Sequence, residues 1–183
     1  MRSKNVLLAV LFLFALISCK DEKKETEATV STPAAKQNFN VEIDAITNVK
    51  DDFAVYYTED GTNDFTGTMA SWKGILGSGK SEKVTFDLPA DVIPTHIRLD
   101  FGLNKEQGDI VIENIKMDFY GESFSFKGSE FFTYFIASDQ FKTEVDQAKG
   151  TLTILRGEDG FKTPYFYPTQ NLIDAVAKIT AQE

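Results

Sequence analysis

The sequence predicts a mostly β fold, an antiparallel β-sandwich with a short C-terminal helix, over residues 38–183. Hydrophobic residues alternate with polar ones in many short runs there, as strands with one buried face require. Turn-forming residues separate the runs, and the regular alternation of strands with long helices that marks a parallel α/β fold is absent. A segment of this length is close to the commonest size of one domain and can bury a single core.

The strands can be placed in order along the chain. The first alternation, at Phe39, Val41, Ile43 and Ala45, predicts a strand with one buried face. Later runs with the same period are Phe53–Tyr57, Val84–Leu88, Ile97–Phe101, Ile110–Ile112, Ile115–Phe119, Phe124–Phe126 and Leu152–Ile154. His96, Arg98 and Asp100 fall on the polar face of the Ile97–Phe101 run.

Two parts of the chain depart from the strand period. Thr169 can cap a helix in which Leu172, Val176 and Ile179 share one apolar face, and we expect this helix to cover one end of the sandwich. Short helical turns are predicted over Ser129–Ile136 and Asp139–Ala148.

The first 37 residues read as a leader and a tether. Arg2 and Lys4 precede an apolar run that ends at Ile17, which is the pattern of a secretory signal peptide over residues 1–18. The run is shorter than the roughly 20 residues that a membrane-spanning helix needs. Residues 19–37 carry dense mixed charge followed by small polar residues, which predicts a disordered tether.

Leu16-Ile17-Ser18-Cys19 resembles the lipobox of bacterial lipoproteins, and Cys19 is the only cysteine of the chain. The resemblance implies that Cys19 carries a diacylglycerol and becomes the acylated amino terminus, so that the lipid bilayer is a partner. A plain signal peptide is the alternative. Lys20-Asp21-Glu22 resembles the export signal of surface lipoproteins in the Bacteroidota, which implies the outer face of the outer membrane. Ordinary tether charge, with a periplasmic location, is the alternative there.

Charge and motif content exclude several classes of function. A net charge of −9 disfavours nucleic acid and anionic lipid as partners, because both require concentrated positive charge. His96 is the only histidine, which leaves too few ligands for a histidine-based zinc site. A Gly-x-Ser-x-Gly elbow and a phosphate-binding glycine loop are also absent from the sequence. We therefore expect no catalytic residues and no enzyme.

Aromatic residues supply the main ligand-binding candidates, because sugar rings stack on exposed aromatic faces. Trp72, Tyr56 and Tyr57 are favoured, with Tyr165 and Tyr167 as further candidates; burial in the core is the alternative for each. Strand alternation directs Tyr56 and Tyr57 to opposite faces, so one of them should point outward.

A loop after the second predicted strand is the best candidate for a metal. Asp60, Asn63 and Asp64 supply clustered oxygen donors of the kind that calcium prefers. The alternative is a simple hairpin connection around Asp60-Gly61. A structural calcium ion is thus the one cofactor that the sequence suggests.

The pattern of Phe53–Thr58, Val84–Pro89, Ile97–Gly102 and Ile110–Ile115 resembles jelly-roll, galactose-binding-like sandwiches of bacterial cell-envelope proteins. This resemblance implies a non-catalytic binding module. The leading expectation is a lipid-anchored envelope protein that binds glycans. The alternative is an accessory lipoprotein that binds a partner protein of an envelope complex.

Overall fold

The computed structural model describes residues 38–138, 142–146, 148–155 and 163–181. Every described residue belongs to one compact unit, Ala34–Glu183. The leader, the tether, Cys19 and Lys20-Asp21-Glu22 lie outside the described residues. None of the helices in the described ranges has the length and apolar character needed to cross a membrane.

Strands dominate the described residues, as predicted. In chain order the elements are β1 (Asn40–Ile46), β2 (Asp51–Thr58), β3 (Ala70–Ile75), β4 (Ser81–Asp87), β5 (His96–Phe101), β6 (Asp109–Phe119), β7 (Glu122–Lys127), α1 (Phe131–Tyr134), β8 (Phe135–Ala137), β9 (Lys142–Asp146), β10 (Thr151–Leu155), β11 (Tyr165–Pro168) and α2 (Gln170–Thr180). The first sheet has the order β4-β1-β6-β10-β9, with β7 also paired to β6, and the second sheet has the order β3-β2-β5-β11-β8. All the pairings are antiparallel, so the predicted β-sandwich is confirmed.

The core lies between the two sheets and follows the predicted alternation. Phe39, Val41, Ile43 and Ala45 are fully buried on the inner side of the first sheet. The second sheet contributes its own inward residues, which are Phe53, Val55, Tyr57, Ile97, Leu99, Phe101 and Phe166. Burial of each large apolar side chain contributes about 1.5–3 kcal/mol before the entropy cost of folding is counted.

A β-bulge joins two of the predicted runs into the single long strand β6. Asn114 pairs with Asp44, but the next residue of β1, Ala45, pairs with Ile112, so Glu113 is the extra residue. An extra residue shifts the alternation by one position. The bulge therefore explains why Ile112 and Ile115, three residues apart, are both buried on the same side.

Two glycines lie beside β6 at the point where the strand paired with it changes from β10 to β7. β7 pairs with the second half of β6 and β10 with the first three residues, on the edge that β1 leaves free. Gly128 and Gly150 lie between them, and the Ile112 N–H donates to the Gly150 carbonyl at 2.9 Å. A Cβ atom on Gly128 would overlap the carbonyl oxygen of Ile112. Only glycine fits at this position without moving the backbone.

The buried Asp51 carboxylate fastens the loop after β5 to the start of β2. It accepts hydrogen bonds from the backbone N–H groups of Asp52 (2.8 Å), Leu103 (2.6 Å) and Asn104 (3.0 Å), and from the side-chain amide of Gln107 (3.0 Å). A buried carboxylate is stable only when such donors replace its lost hydration. The β5–β6 loop is thus fixed against the sandwich.

The C-terminal helix is confirmed as α2, with Leu172, Val176 and Ile179 buried. Thr169 is its N-cap residue, but the threonine hydroxyl donates to the Thr133 carbonyl at 2.8 Å and not to the helix. The helix packs against β6, β7 and α1.

The predicted helical turns have a mixed outcome. Helical structure is present over Gly128–Glu130 and Phe131–Tyr134, which covers the first predicted segment except its last two residues, Phe135 and Ile136, which belong to β8. The second prediction is wrong for Lys142–Asp146, which forms β9 paired with β10. A hydrogen-bonding neighbour strand supplies a ladder that the local sequence pattern does not reveal.

Candidate binding surface on the second sheet

The outer side of the second sheet brings together aromatic residues from distant parts of the sequence. Tyr56 pairs with Arg98 in the register of β2 and β5, and Tyr165 pairs with Asp100 in the register of β5 and β11. Cross-strand neighbours on one face lie close enough for their side chains to touch. We call this surface the aromatic face and define it by Tyr56, Phe65, Trp72, Arg98, Asp100, Tyr165 and Tyr167.

The two favoured tyrosines separate as strand alternation requires. Tyr56 points outward, and its ring lies 6.0 Å from the Trp72 ring in an edge-to-face arrangement with an interplanar angle of 77°. Tyr57 is only 7% exposed and belongs to the core. Two of the three favoured residues, Tyr56 and Trp72, therefore lie together, and Tyr57 lies on the opposite side of the sheet.

Arg98 lies at the centre of the aromatic face. Its guanidinium carbon is 4.1 Å from the ring centroid of Tyr56, 4.8 Å from that of Tyr165 and 5.4 Å from that of Phe65. Cation–π attraction operates at these distances. Arg98, on β5, thus holds together the rings of Tyr56 and Tyr165, which lie on the two neighbouring strands and more than 100 residues apart in sequence.

Asp100 neutralises Arg98 from the same strand. Arg98 Nε donates to Asp100 Oδ1 at 2.8 Å, and Nη2 donates to Oδ2 at 2.9 Å. The side chains of Arg98 and Asp100 are only 15% and 6% exposed. Bidentate pairing of this kind fixes the plane of the guanidinium as well as its position. The pair therefore forms a neutral, rigid base for the rings around it.

Phe65 reaches the aromatic face from the loop between β2 and β3. Its ring stacks on Tyr167 with a centroid distance of 6.0 Å and an interplanar angle of 30°. The loop is fastened at its start, where the Thr58 hydroxyl donates to the Thr62 carbonyl at 2.6 Å. Tyr167 in turn lies edge-to-face against Tyr165, with a centroid distance of 5.5 Å. The loop thus completes the cluster on the side of β11.

Trp72 is the ring best placed to meet a ligand. It is 40% exposed, and the other four rings of the aromatic face are more deeply buried. Arg98 lies over the rings of Tyr56 and Tyr165, so part of their surface already has a partner. Ala54, which pairs with both Trp72 and Asp100, is only 1% exposed, and the Tyr56 ring lies 6.0 Å from the Trp72 ring. A ligand that stacks on Trp72 would therefore lie beside the tyrosines.

Burial shifts the titration of three groups on this face. Burial raises the pKa of Tyr56, and the Asp100 charge adds to the shift. The pKa of Tyr167 is raised by burial and by the neighbouring Tyr165. Both phenols thus stay protonated at neutral pH and can donate as well as accept hydrogen bonds. Burial also raises the pKa of Asp100, against the opposing effect of Arg98.

The candidate metal loop is held by its own side chains. Asp60 Oδ1 accepts hydrogen bonds from the Thr62 N–H at 3.1 Å and from the Thr62 hydroxyl at 2.8 Å. These bonds lower the pKa of Asp60. Among the described residues, no group of three or more His, Cys, Asp or Glu side chains could hold a metal ion. Calcium binding at Asp60, Asn63 and Asp64 stays a prediction.

Of the residues named from the sequence, Trp72, Tyr56, Tyr165 and Tyr167 lie on the aromatic face and Tyr57 lies in the core. Phe65, Arg98 and Asp100 were missed as parts of one surface. Opposite charges two residues apart on one face of a predicted strand were the available signal for Arg98 and Asp100. Comparison with known proteins finds no matching family model, no matching curated protein and no matching solved structure.

Proposed function

We propose that this protein is a lipid-anchored lipoprotein of the outer membrane that binds glycans through its aromatic face and catalyses no reaction. The observation that carries the proposal is the convergence of five aromatic rings on the outer side of one sheet, where they do not fill the core between the sheets. The apolar faces of sugar rings stack on such side chains. Trp72 is the principal stacking residue.

Polar groups beside the rings fit the rest of a sugar. Tyr56 and Tyr167 carry hydroxyl groups that are protonated at neutral pH, and burial raises the pKa of each above its ordinary value. Sugar hydroxyls both donate and accept hydrogen bonds, and so do phenols. A few polar groups around an apolar contact area are typical of sites that orient a small ligand. The aromatic face offers both components on one surface.

The N-terminal motifs support the location. Acylation of Cys19 would place two or more hydrocarbon chains in the bilayer, which is what stable anchoring requires. As a flexible coil, the predicted tether from Cys19 to Asn38 would span on the order of 25 Å, so the sandwich would stand clear of the membrane surface. With Lys20-Asp21-Glu22 as an export signal, the aromatic face is presented outside the cell.

A glycan array tests the binding proposal. The full chain is purified in a detergent without a sugar headgroup and compared with Trp72→Ala and Tyr120→Ala. Tyr120 is also exposed, but it belongs to the turn between β6 and β7 of the first sheet. We expect the wild type and Tyr120→Ala to bind the same glycans and Trp72→Ala to lose them. Absence of binding to every glycan refutes the proposal.

Membrane fractionation tests the anchor separately. Cys19→Ala removes the thiol that would carry the diacylglycerol, so the variant should be released into the soluble fraction. Cys19→Ser is the matched control for side-chain size and polarity and should be released as well. Retention of either variant on membranes contradicts lipid anchoring through Cys19.

A partner protein is the second candidate ligand, and a separate pair of exposed residues favours it. Leu76 and Leu103 are 75% and 52% exposed on two loops that flank Asp51. Contiguous exposed apolar surface is typical of protein contacts. Pull-down from envelope extract should then recover the same partner with the wild type and with Trp72→Ala, and lose it with a Leu76→Asp/Leu103→Asp variant.

A further inference from the structure

We infer that the ligand of the aromatic face is an internal stretch of an uncharged polysaccharide, bound across the strands from Trp72 to Tyr165. The inference rests on the proposed glycan-binding function and adds the length and the charge of the ligand. Two features of the surface carry it: the direction of one cross-strand row and the internal neutralisation of Arg98.

The row follows from the strand register. Trp72 pairs with Ala54, Ala54 pairs with Asp100, and Asp100 pairs with Tyr165. These four residues on β3, β2, β5 and β11 therefore lie on one line at right angles to the strands. Three strand spacings separate its ends, which is about 14 Å.

A line of this length is longer than one sugar ring. Contact with both Trp72 and Tyr165 therefore requires several linked sugars. Trp72 is 40% exposed and lies on β3, which is an edge strand of the second sheet. A chain can thus continue past Trp72 over the β3 edge, which favours an internal stretch of a polymer over a terminal sugar.

Charge on the aromatic face disfavours acidic glycans. Asp100 holds Arg98 through two hydrogen bonds, so the central cation is already neutralised. Asp52 lies two residues before Ala54 on the same face of β2, and its side chain is exposed. Lys73 follows Trp72 in sequence but belongs to the other face of β3, because it pairs with the inward-facing Phe53. A uronate chain would meet a carboxylate without gaining the central arginine.

Titration calorimetry of the full chain, in a detergent without a sugar headgroup, tests the inference. The probes are gluco-, manno- and xylo-oligosaccharides of one, two, three and six units, with polygalacturonate as the acidic polymer. Affinity for one neutral series should rise roughly tenfold or more between two and six units, because both ends of the row are then filled. Polygalacturonate should bind more weakly than the neutral hexasaccharide.

Variants at the two ends of the row separate length from stacking. Trp72→Ala should weaken the disaccharide and the hexasaccharide alike. Tyr165→Ala should weaken binding of the hexasaccharide roughly tenfold more than binding of the disaccharide. Tyr165→Thr, which keeps a strand-forming residue in β11, should give the same result and guards against misfolding.

The outcomes distinguish the two proposals. Glycan binding with no gain in affinity between two and six units, or with a preference for polygalacturonate, overturns the inference and leaves glycan binding intact. An equal effect of Tyr165→Thr on disaccharide and hexasaccharide also overturns it. Failure of the wild type to bind any glycan overturns the proposed function itself.

Discussion

Replacement of Arg98 by methionine should destabilise the protein by about 3 kcal/mol. Methionine fills much of the space of the arginine stem but carries no charge and no donors. The change removes two hydrogen bonds, at 2.8 and 2.9 Å, from Asp100, whose side chain is 6% exposed. Breaking a buried ion pair by removing one partner costs about 3–5 kcal/mol, because the other charge is left uncompensated.

The lower end of that range applies because the arginine side chain is 15% exposed and water can reach the site. The total of about 3 kcal/mol includes the lost contacts between Arg98 and the rings of Tyr56 and Tyr165, which contribute about 0.5–1 kcal/mol for each ring. In a domain of this size, a loss of 3 kcal/mol lowers the melting temperature by about 9 °C.

Urea unfolding of the unit Ala34–Glu183 measures this loss. Trp72 is the only tryptophan and lies on the aromatic face, so its fluorescence reports on the surface that is perturbed. The double variant Arg98→Met/Asp100→Leu leaves no buried charge and should recover at least half of the lost stability. A loss below about 1 kcal/mol for Arg98→Met, or simple addition of the two single losses, would refute the reasoning.

Three further predictions concern the packing and titration of the sandwich. Gly128→Ala should cost about 4 kcal/mol or more by thermal melting, because the new Cβ overlaps a backbone carbonyl of β6. Gly67→Ala is the control, because a Cβ atom there meets open space, and it should change the free energy of unfolding by less than about 1 kcal/mol. Equal losses for the two variants would contradict the close contact between Gly128 and the Ile112 carbonyl. Asp51→Ala should lower the free energy of unfolding by about 3 kcal/mol and speed hydrogen exchange of the Leu103 and Asn104 amides, which donate to Asp51. Unchanged exchange would show that Asp51 does not hold this loop. The raised pKa of Asp100 means that the folded state takes up a proton before the unfolded chain does, so wild-type stability should rise relative to Asp100→Asn as pH falls from 7 towards about 4. Urea unfolding at several pH values checks this, and a constant difference would contradict it.

Alternation predicted the strands with one fully apolar face. β1 is the clearest case, since every second residue from Phe39 to Ala45 is buried. The same logic placed Leu172, Val176 and Ile179 on one face of the C-terminal helix. In both cases a local period is repeated often enough to identify the element and its buried side.

The sequence pattern did not predict the edge strands β3 and β9, nor the surface that is assembled from several strands. β3 has only Ile75 fully buried, so its alternation is too weak to read. β9 is stabilised by pairing with β10, which is a contact between segments and not a local pattern. Likewise, the meeting of Arg98 with Phe65 and Tyr165 depends on strand order and on the path of a loop, neither of which a single sequence specifies.

The anchoring of the Phe65 loop has a consequence for the speed and cost of binding. Besides the bond from Thr58, the Gly61 N–H donates to the Thr95 hydroxyl at 3.0 Å, and the Ile93 N–H donates to Glu59 at 3.1 Å. The loop is therefore ordered before a ligand arrives, and little conformational entropy remains to be lost on association. For the polysaccharide ligand that we propose, a site prepared in this way would allow quick exchange without a slow closing step.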